Sequence, residues 1–312
     1  MKHVYNLFKK YLPIVITISG IAFAFGLLTL LYYFKSSTVS IEFGNVIPIF
    51  TLIFIIVAIF FSISFASKVN KLHITKIKKS FGLCKFASLL AATMATALFF
   101  FDFFRFVLNP GQFSSLRILR LVVFIPFIIY IVLNVIPKKI KRKPVELPTW
   151  LKPLSAFSTI IWCILGLLMI YFWQELPTSN IFKLAIMFYY IIVVLFFMFE
   201  IKFELFVPYV KGYIFTALLL FIYSFAVIGP LMLAKFFGRL SAVSISEFEI
   251  FLAFSLGIYA LSKLVAMQQT MNFVMKRSDS SHGHSHHHHH HHNHTDKPAD
   301  DNATTENTTE NK

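Results

Sequence analysis

The 312-residue chain is poor in charge: 14% of its residues are charged and only 14 are Asp or Glu, against 39 Phe. Soluble domains carry about 25% charged residues, so this pool cannot furnish a water-facing surface. Histidine is missing from every long apolar run. Ten of the twelve histidines follow residue 280, and the other two are His3 and His73. That absence argues against a membrane-embedded bis-histidine haem, a histidine-rich metal centre or a serine–histidine protease site. Cysteine is scarce as well. Cys84 and Cys163 are too far apart in sequence for a chelating motif, and each reads as a small hydrophobe. HExxH and Gly-rich phosphate loops do not occur. The few acids fall at the ends of apolar runs, in loops or near the C-terminus, which makes a cation-coupled carrier less favoured.

What the chain has is hydrophobicity, 57% of its residues with a mean hydropathy of +0.72. About 20 apolar residues cross the hydrocarbon layer as a helix. Runs of 24, 25, 22 and 23 uncharged residues lie between Lys10 and Lys35, Glu42 and Lys68, Lys152 and Glu175, and Lys211 and Lys235. Four further runs, 82–101, 118–136, 181–199 and 248–267, hold Lys85, Arg120, Lys183, and Glu249 with Lys263. These charges stand near the ends, where Lys and Arg snorkel to the interface. The expected fold is all-α: a polytopic transmembrane bundle of about eight spans over residues 1–275. Pro48, Pro126 and Pro230 fall inside spans, and Gly229-Pro230 is the best candidate for a kink.

Lysine and arginine set the orientation. Lys2, Lys9 and Lys10; Lys68, Lys71, Lys76, Lys78 and Lys79; Lys138, Lys139, Lys141, Arg142 and Lys143; and Lys276 with Arg277 all fall on one side. By the positive-inside rule that side is cytoplasmic, as are both termini. The expected location is the plasma (cell inner) membrane. Ala22-Phe23-Ala24 mimics a signal-peptide cleavage site, but the apolar run continues to Phe34, so the first run is read as an uncleaved span. Cleavage would leave seven. The expected partners are the bilayer and, at the basic loops, anionic headgroups. No basic stretch belongs to a nucleic-acid-binding module, so no nucleic-acid partner is expected.

One charged constellation stands out. Asp102 and Arg105 close the third run at i, i+3 spacing, and Arg117 and Arg120 open the fourth with the same spacing. The Asn109-Pro110-Gly111-Gln112 turn between them brings the two helix ends together. Guanidinium forks match carboxylate or phosphate, so these four residues form a candidate recess for an anionic ligand. The alternative is an interfacial ion-pair cluster. Glu200 and Glu204 flank Lys202 in what reads as a short connection, as interfacial ion pairs.

Residues 276–312 read as a disordered cytoplasmic tail, rich in His, then in Asn, Thr and acids. His282, His284, His286, His287, His288, His289, His290, His291, His292 and His294 form a tract suited to Zn, Ni or Cu. The irregular flanks and the segment after it argue against an added purification tag. Asn293, Asn302 and Asn307 match the glycosylation pattern, which a cytoplasmic tail would not present to that machinery. No cofactor is expected to be essential, and the divalent metal belongs to the tail. The favoured reading is a sensory or regulatory membrane module with a metal-binding tail. A permease for a metal ion or small solute, and a structural or assembly protein, are the alternatives. An intramembrane enzyme is disfavoured for want of catalytic groups.

Overall fold

The computed structural model describes residues 2–35, 41–69, 82–112, 114–135, 139–140, 143–144, 148, 150–172, 181–205, 209–236 and 246–282. The chain is an integral membrane protein with eight helices long and apolar enough to cross a bilayer. A lone two-residue antiparallel pairing, Lys139–Ile140 with Lys143–Pro144, joins the fourth span towards the fifth. Helices prevail because lipid offers no partner to backbone amides and carbonyls, which must therefore bond within their own segment.

The helices are α1 (Lys2–Lys35), α2 (Ile41–Lys68), α3 (Gly82–Leu108), α4 (Ser115–Val135), α5 (Leu151–Tyr171) and α6 (Ile181–Glu204). The seventh span has three parts: α7 (Val210–Tyr223), a π-helical turn (Ser224–Ile228) and α8 (Gly229–Phe236). The last is α9 (Glu247–His282). The chain divides into two units, Met1–Met275 and Lys276–Lys312. α1 runs unbroken through Ala22, Phe23 and Ala24. The expected kink appears as the π turn immediately before Gly229-Pro230. Proline 230 has no amide hydrogen to give the preceding turn, and the helix accommodates that locally by widening.

The seventh and eighth spans are the most enclosed and the second the least. Apolar side chains of α2 such as Ile53, Ile56 and Phe60 face outward, as lipid contact requires. Inside, where lipid and leucine are equally apolar, close packing and polar contacts hold helices together. Trp162 of α5 stacks on Phe124 and Phe127 of α4 at ring distances of 4.9 and 5.6 Å. Phe127 meets Phe197 of α6 edge-on at 6.2 Å. Gly257 of α9 lies directly against Ser224, whose hydroxyl donates to the Ala253 carbonyl at 3.2 Å. A Cβ at position 257 would overlap that serine, so only glycine lets α9 approach the π turn.

Several expectations need correction. α3 continues past residue 101 to Leu108, with Arg105 in its last turn. α6 continues to Glu204, so Glu200 is not in a connection; it is buried inside the bundle. Lys263 does not snorkel, because α9 runs well past it and its side chain is buried. Lys183 is also buried and donates to the Tyr171 carbonyl at the end of α5, 3.2 Å away. Hydroxyls within the spans bond to their own helices: Ser62, Thr93, Thr96 and Ser158 all donate to carbonyls three or four residues back.

Candidate functional site

The end of the bundle where α3 meets α4 carries the four charged residues that stand out in the sequence. A 3-10 turn, Pro110–Gln112, follows α3. Ser115 then starts α4, so Arg117 and Arg120 lie in its first two turns. Asp102, Arg105, Arg117 and Arg120 all line one cavity of about 100 Å³. A water needs roughly 10–15 Å³ by this kind of measure, so the recess has room for several waters or a compact solute. The structure thus brings all four residues together, and it adds two that the sequence reading left out, Trp162 and Glu249.

Arg120 forms the floor. Its Nη2 donates to Glu249 Oε1 at 2.6 Å and to the Tyr190 hydroxyl at 2.6 Å. Tyr190 in turn donates to the same Glu249 oxygen. The guanidinium carbon sits 4.4 Å from the centre of the Trp162 ring, a cation–π contact that covers one face. Arg120 Nε is buried and has no hydrogen-bond partner among the described residues. Gly166 of α5 makes this arrangement fit: a Cβ there would stand 2.9 Å from Tyr190 Cζ and 3.1 Å from Arg120 Nη2.

Glu249 reaches the site because Ser246 caps α9. The Glu249 amide donates to Ser246 Oγ at 3.3 Å and to the Ser246 carbonyl at 3.1 Å. Serine followed three residues later by glutamate is the capping-box pattern, in which the glutamate often reaches back to the cap. Here its carboxylate turns to Arg120 instead. Phe248 against Phe101, with rings 5.3 Å apart, holds this end of α9 beside α3. With three arginines against Asp102 and Glu249, the recess lining carries one net positive charge.

A second polar layer lies deeper, and sequence reasoning missed it. Glu200 Oε1 accepts from Lys263 Nζ at 2.7 Å, from the Tyr130 hydroxyl at 2.9 Å and from the Tyr259 hydroxyl at 3.2 Å. Both charged side chains are under a tenth exposed, and both tyrosines are fully buried. Tyr213 of α7 borders the cluster, with its buried hydroxyl beside Glu200. Removing one member of such a pair costs about 3–5 kcal/mol, because the other charge is left desolvated.

The two layers come from the same three helices at the same interval. Arg120 and Tyr130 lie ten residues apart on α4, Tyr190 and Glu200 ten apart on α6, and Glu249 and Tyr259 ten apart on α9. At 1.5 Å per residue the layers are about 15 Å apart along each helix. Shared contacts at both levels mean that α4, α6 and α9 run in parallel, as the fourth, sixth and eighth spans must. Beside the upper layer is a smaller cavity of about 20 Å³, lined by Tyr190 and Glu249 of that layer and by Trp162, Tyr189, Ile228 and Ala253. The buried Tyr189 hydroxyl has no hydrogen-bond partner among the described residues, and Ile228 belongs to the π turn.

No cluster of three or more His, Cys, Asp or Glu able to hold a metal occurs among the described residues. Of the histidine tract, His282 is the last residue of α9; His284, His286, His287, His288, His289, His290, His291, His292 and His294 lie outside the described residues. So do most of the basic loop residues, Lys71, Lys76, Lys78 and Lys79 among them. Comparison with known protein families, with curated proteins and with solved structures yields no match. The chemistry of the site has to be read from its own residues.

Proposed function

We propose that this integral membrane protein is a permease for a small organic monoanion, which enters at the recess between α3 and α4. The observation that carries the reading is Arg120: a guanidinium at the floor of an open cavity, with its Nε unpaired and its Nη2 held by a single carboxylate oxygen. A carboxylate or phosphate that displaced Glu249 could use Nε and Nη2 together as a fork, a geometry stronger than the single contact it replaces. The net charge of +1 on the lining suits one negative charge. With the basic loops inside, the recess faces away from the cytoplasm and both termini face it.

A permease is favoured over a sensory module because the recess is not the last polar feature of these helices. Beside the upper layer is a small cavity against a π turn, and deeper in the bundle α6 and α9 hold a second buried ion pair. π turns are common at functional sites, and interrupted helices near the bilayer midplane are a feature of many transporters. The histidine tract would bind Zn, Ni or Cu in solution on the chemistry of imidazole alone.

The test uses the full chain in phosphatidylcholine liposomes with Trp150 and Trp173 replaced by Phe, leaving Trp162 as the only indole. Lactate is expected to change Trp162 fluorescence saturably, and labelled lactate to enter faster than in empty liposomes. Arg120→Gln should abolish both. A fluorescence change without entry would mean a receptor. Suppression of the change by phosphatidylglycerol in the membrane would mean a site for lipid headgroups. No response to lactate, acetate or phosphate would refute the anion recess.

A further inference from the structure

The Glu200–Lys263 pair is costly, and nothing in helix packing requires it. Its design repeats that of the upper layer. In each layer one carboxylate oxygen accepts both from a cation and from tyrosine: Glu249 from Arg120 and Tyr190, Glu200 from Lys263, Tyr130 and Tyr259. The tyrosines make the cation dispensable for a time. If Lys263 swings away, Glu200 keeps two hydroxyl donors at 2.9 and 3.2 Å and remains solvated by the protein. Those bonds offset part of the cost of leaving the carboxylate without its cation. The lysine is the member suited to move, with a flexible four-carbon stem, whereas Glu200 is held from both α4 and α9.

We propose that Lys263 is a second anion-binding station on the path, which receives the anion that Arg120 releases. The inference rests on the permease reading and extends it to the far half of the bundle. As the anion moves inward, Glu249 returns to Arg120 and closes the upper layer. The anion passes the small cavity beside the upper layer, where the buried Tyr189 hydroxyl has no hydrogen-bond partner among the described residues. Lys263 then exchanges Glu200 for the anion while Tyr130 and Tyr259 hold the carboxylate. Each cation therefore always has one negative partner, either the resident carboxylate or the passenger. About 15 Å separates the layers, more than one side chain can span, so the anion cannot bridge them and both need not open at once.

The experiment separates binding from passage. In the Trp162-only protein, Lys263→Met should leave the lactate titration of Trp162 within about twofold of the parent. Lactate entry into liposomes should fall about tenfold or more, the scale of one lost charge-assisted contact. Lys263→Arg, which keeps the charge, should restore most of the entry. Because Lys263→Met leaves Glu200 without its cation, the double variant Glu200→Gln, Lys263→Met provides a form with no buried charge. It should fold, bind lactate and fail to pass it. Wild-type entry by either variant would overturn the proposal. Loss of the Trp162 titration in a double variant that still elutes as the native protein would overturn it too, and would assign the pair to the shape of the bundle. Failure of both variants to fold would do the same. If the parent itself gives no Trp162 response, the recess fails first and the second station falls with it.

Discussion

Replacing a residue that touches the ligand-binding arginine should strengthen binding rather than weaken it. Glu249 contacts Arg120 at 2.6 Å, with the two side chains 17% and 12% exposed. An incoming anion must first break that contact, so its apparent affinity is reduced by whatever the contact contributes. Hydrogen bonds to charged groups contribute about 1.5–3 kcal/mol net, and neutral ones about 0.5–1.5 kcal/mol. Glu249→Gln keeps the shape and a neutral acceptor for Arg120 but removes the charge. The competition falls by about 1–1.5 kcal/mol, which corresponds to roughly tenfold tighter binding. The charge of the lining rises from +1 to +2 in the same direction. The assay is titration of Trp162 fluorescence with lactate at fixed ionic strength, because salt screens the outer arginines. A dissociation constant equal to or weaker than that of the parent would refute the reasoning. It would mean that Glu249 positions Arg120 for the ligand instead of competing with it.

Two other outcomes follow from the packing and the tail. Gly257→Ala should lower the thermal unfolding temperature in detergent, since its Cβ would collide with Ser224 and overpacking costs about 1–3 kcal/mol. Adding Ser224→Gly should recover most of the loss, and no recovery would locate the strain elsewhere. Calorimetric titration with Ni(II) should give binding to the full chain and none to a chain ended after Arg277, with lactate entry the same in both. A change in entry on truncation would join the tail to the path.

The spans were legible because the bilayer imposes a simple rule, and uncharged runs such as those between Lys10 and Lys35 or between Lys211 and Lys235 meet it without help from neighbours. The upper recess was legible for a local reason. Asp102, Arg105, Arg117 and Arg120 are joined by a tight turn, so adjacency in sequence forced adjacency in space. Glu249 was noticed only as an acid at the start of a span, because its partner is 129 residues away. The Ser246 cap three residues before it was the signal that fixed its place at the helix start.

The lower layer is hidden from sequence because a charge reads as the end of a span. Proximity pairs Glu200 with Lys202, and the sixth span then stops at residue 199. Nothing in the sequence breaks the helix there: the first proline is Pro208, and Phe199, Ile201 and Phe203 continue the apolar run. Had the span been carried to that proline, Glu200 would have stood inside it and demanded a buried cation. Lys263 is the one lysine near the matching depth of a parallel span. The ten-residue interval then follows from geometry, because parallel helices in contact at one level meet again after equal advances along their axes. A polar residue at one level of α4, α6 and α9 therefore predicts where to look for its counterpart. In such a bundle two layers of charge are informative as a pair, since packing alone gives no reason to repeat so costly an arrangement.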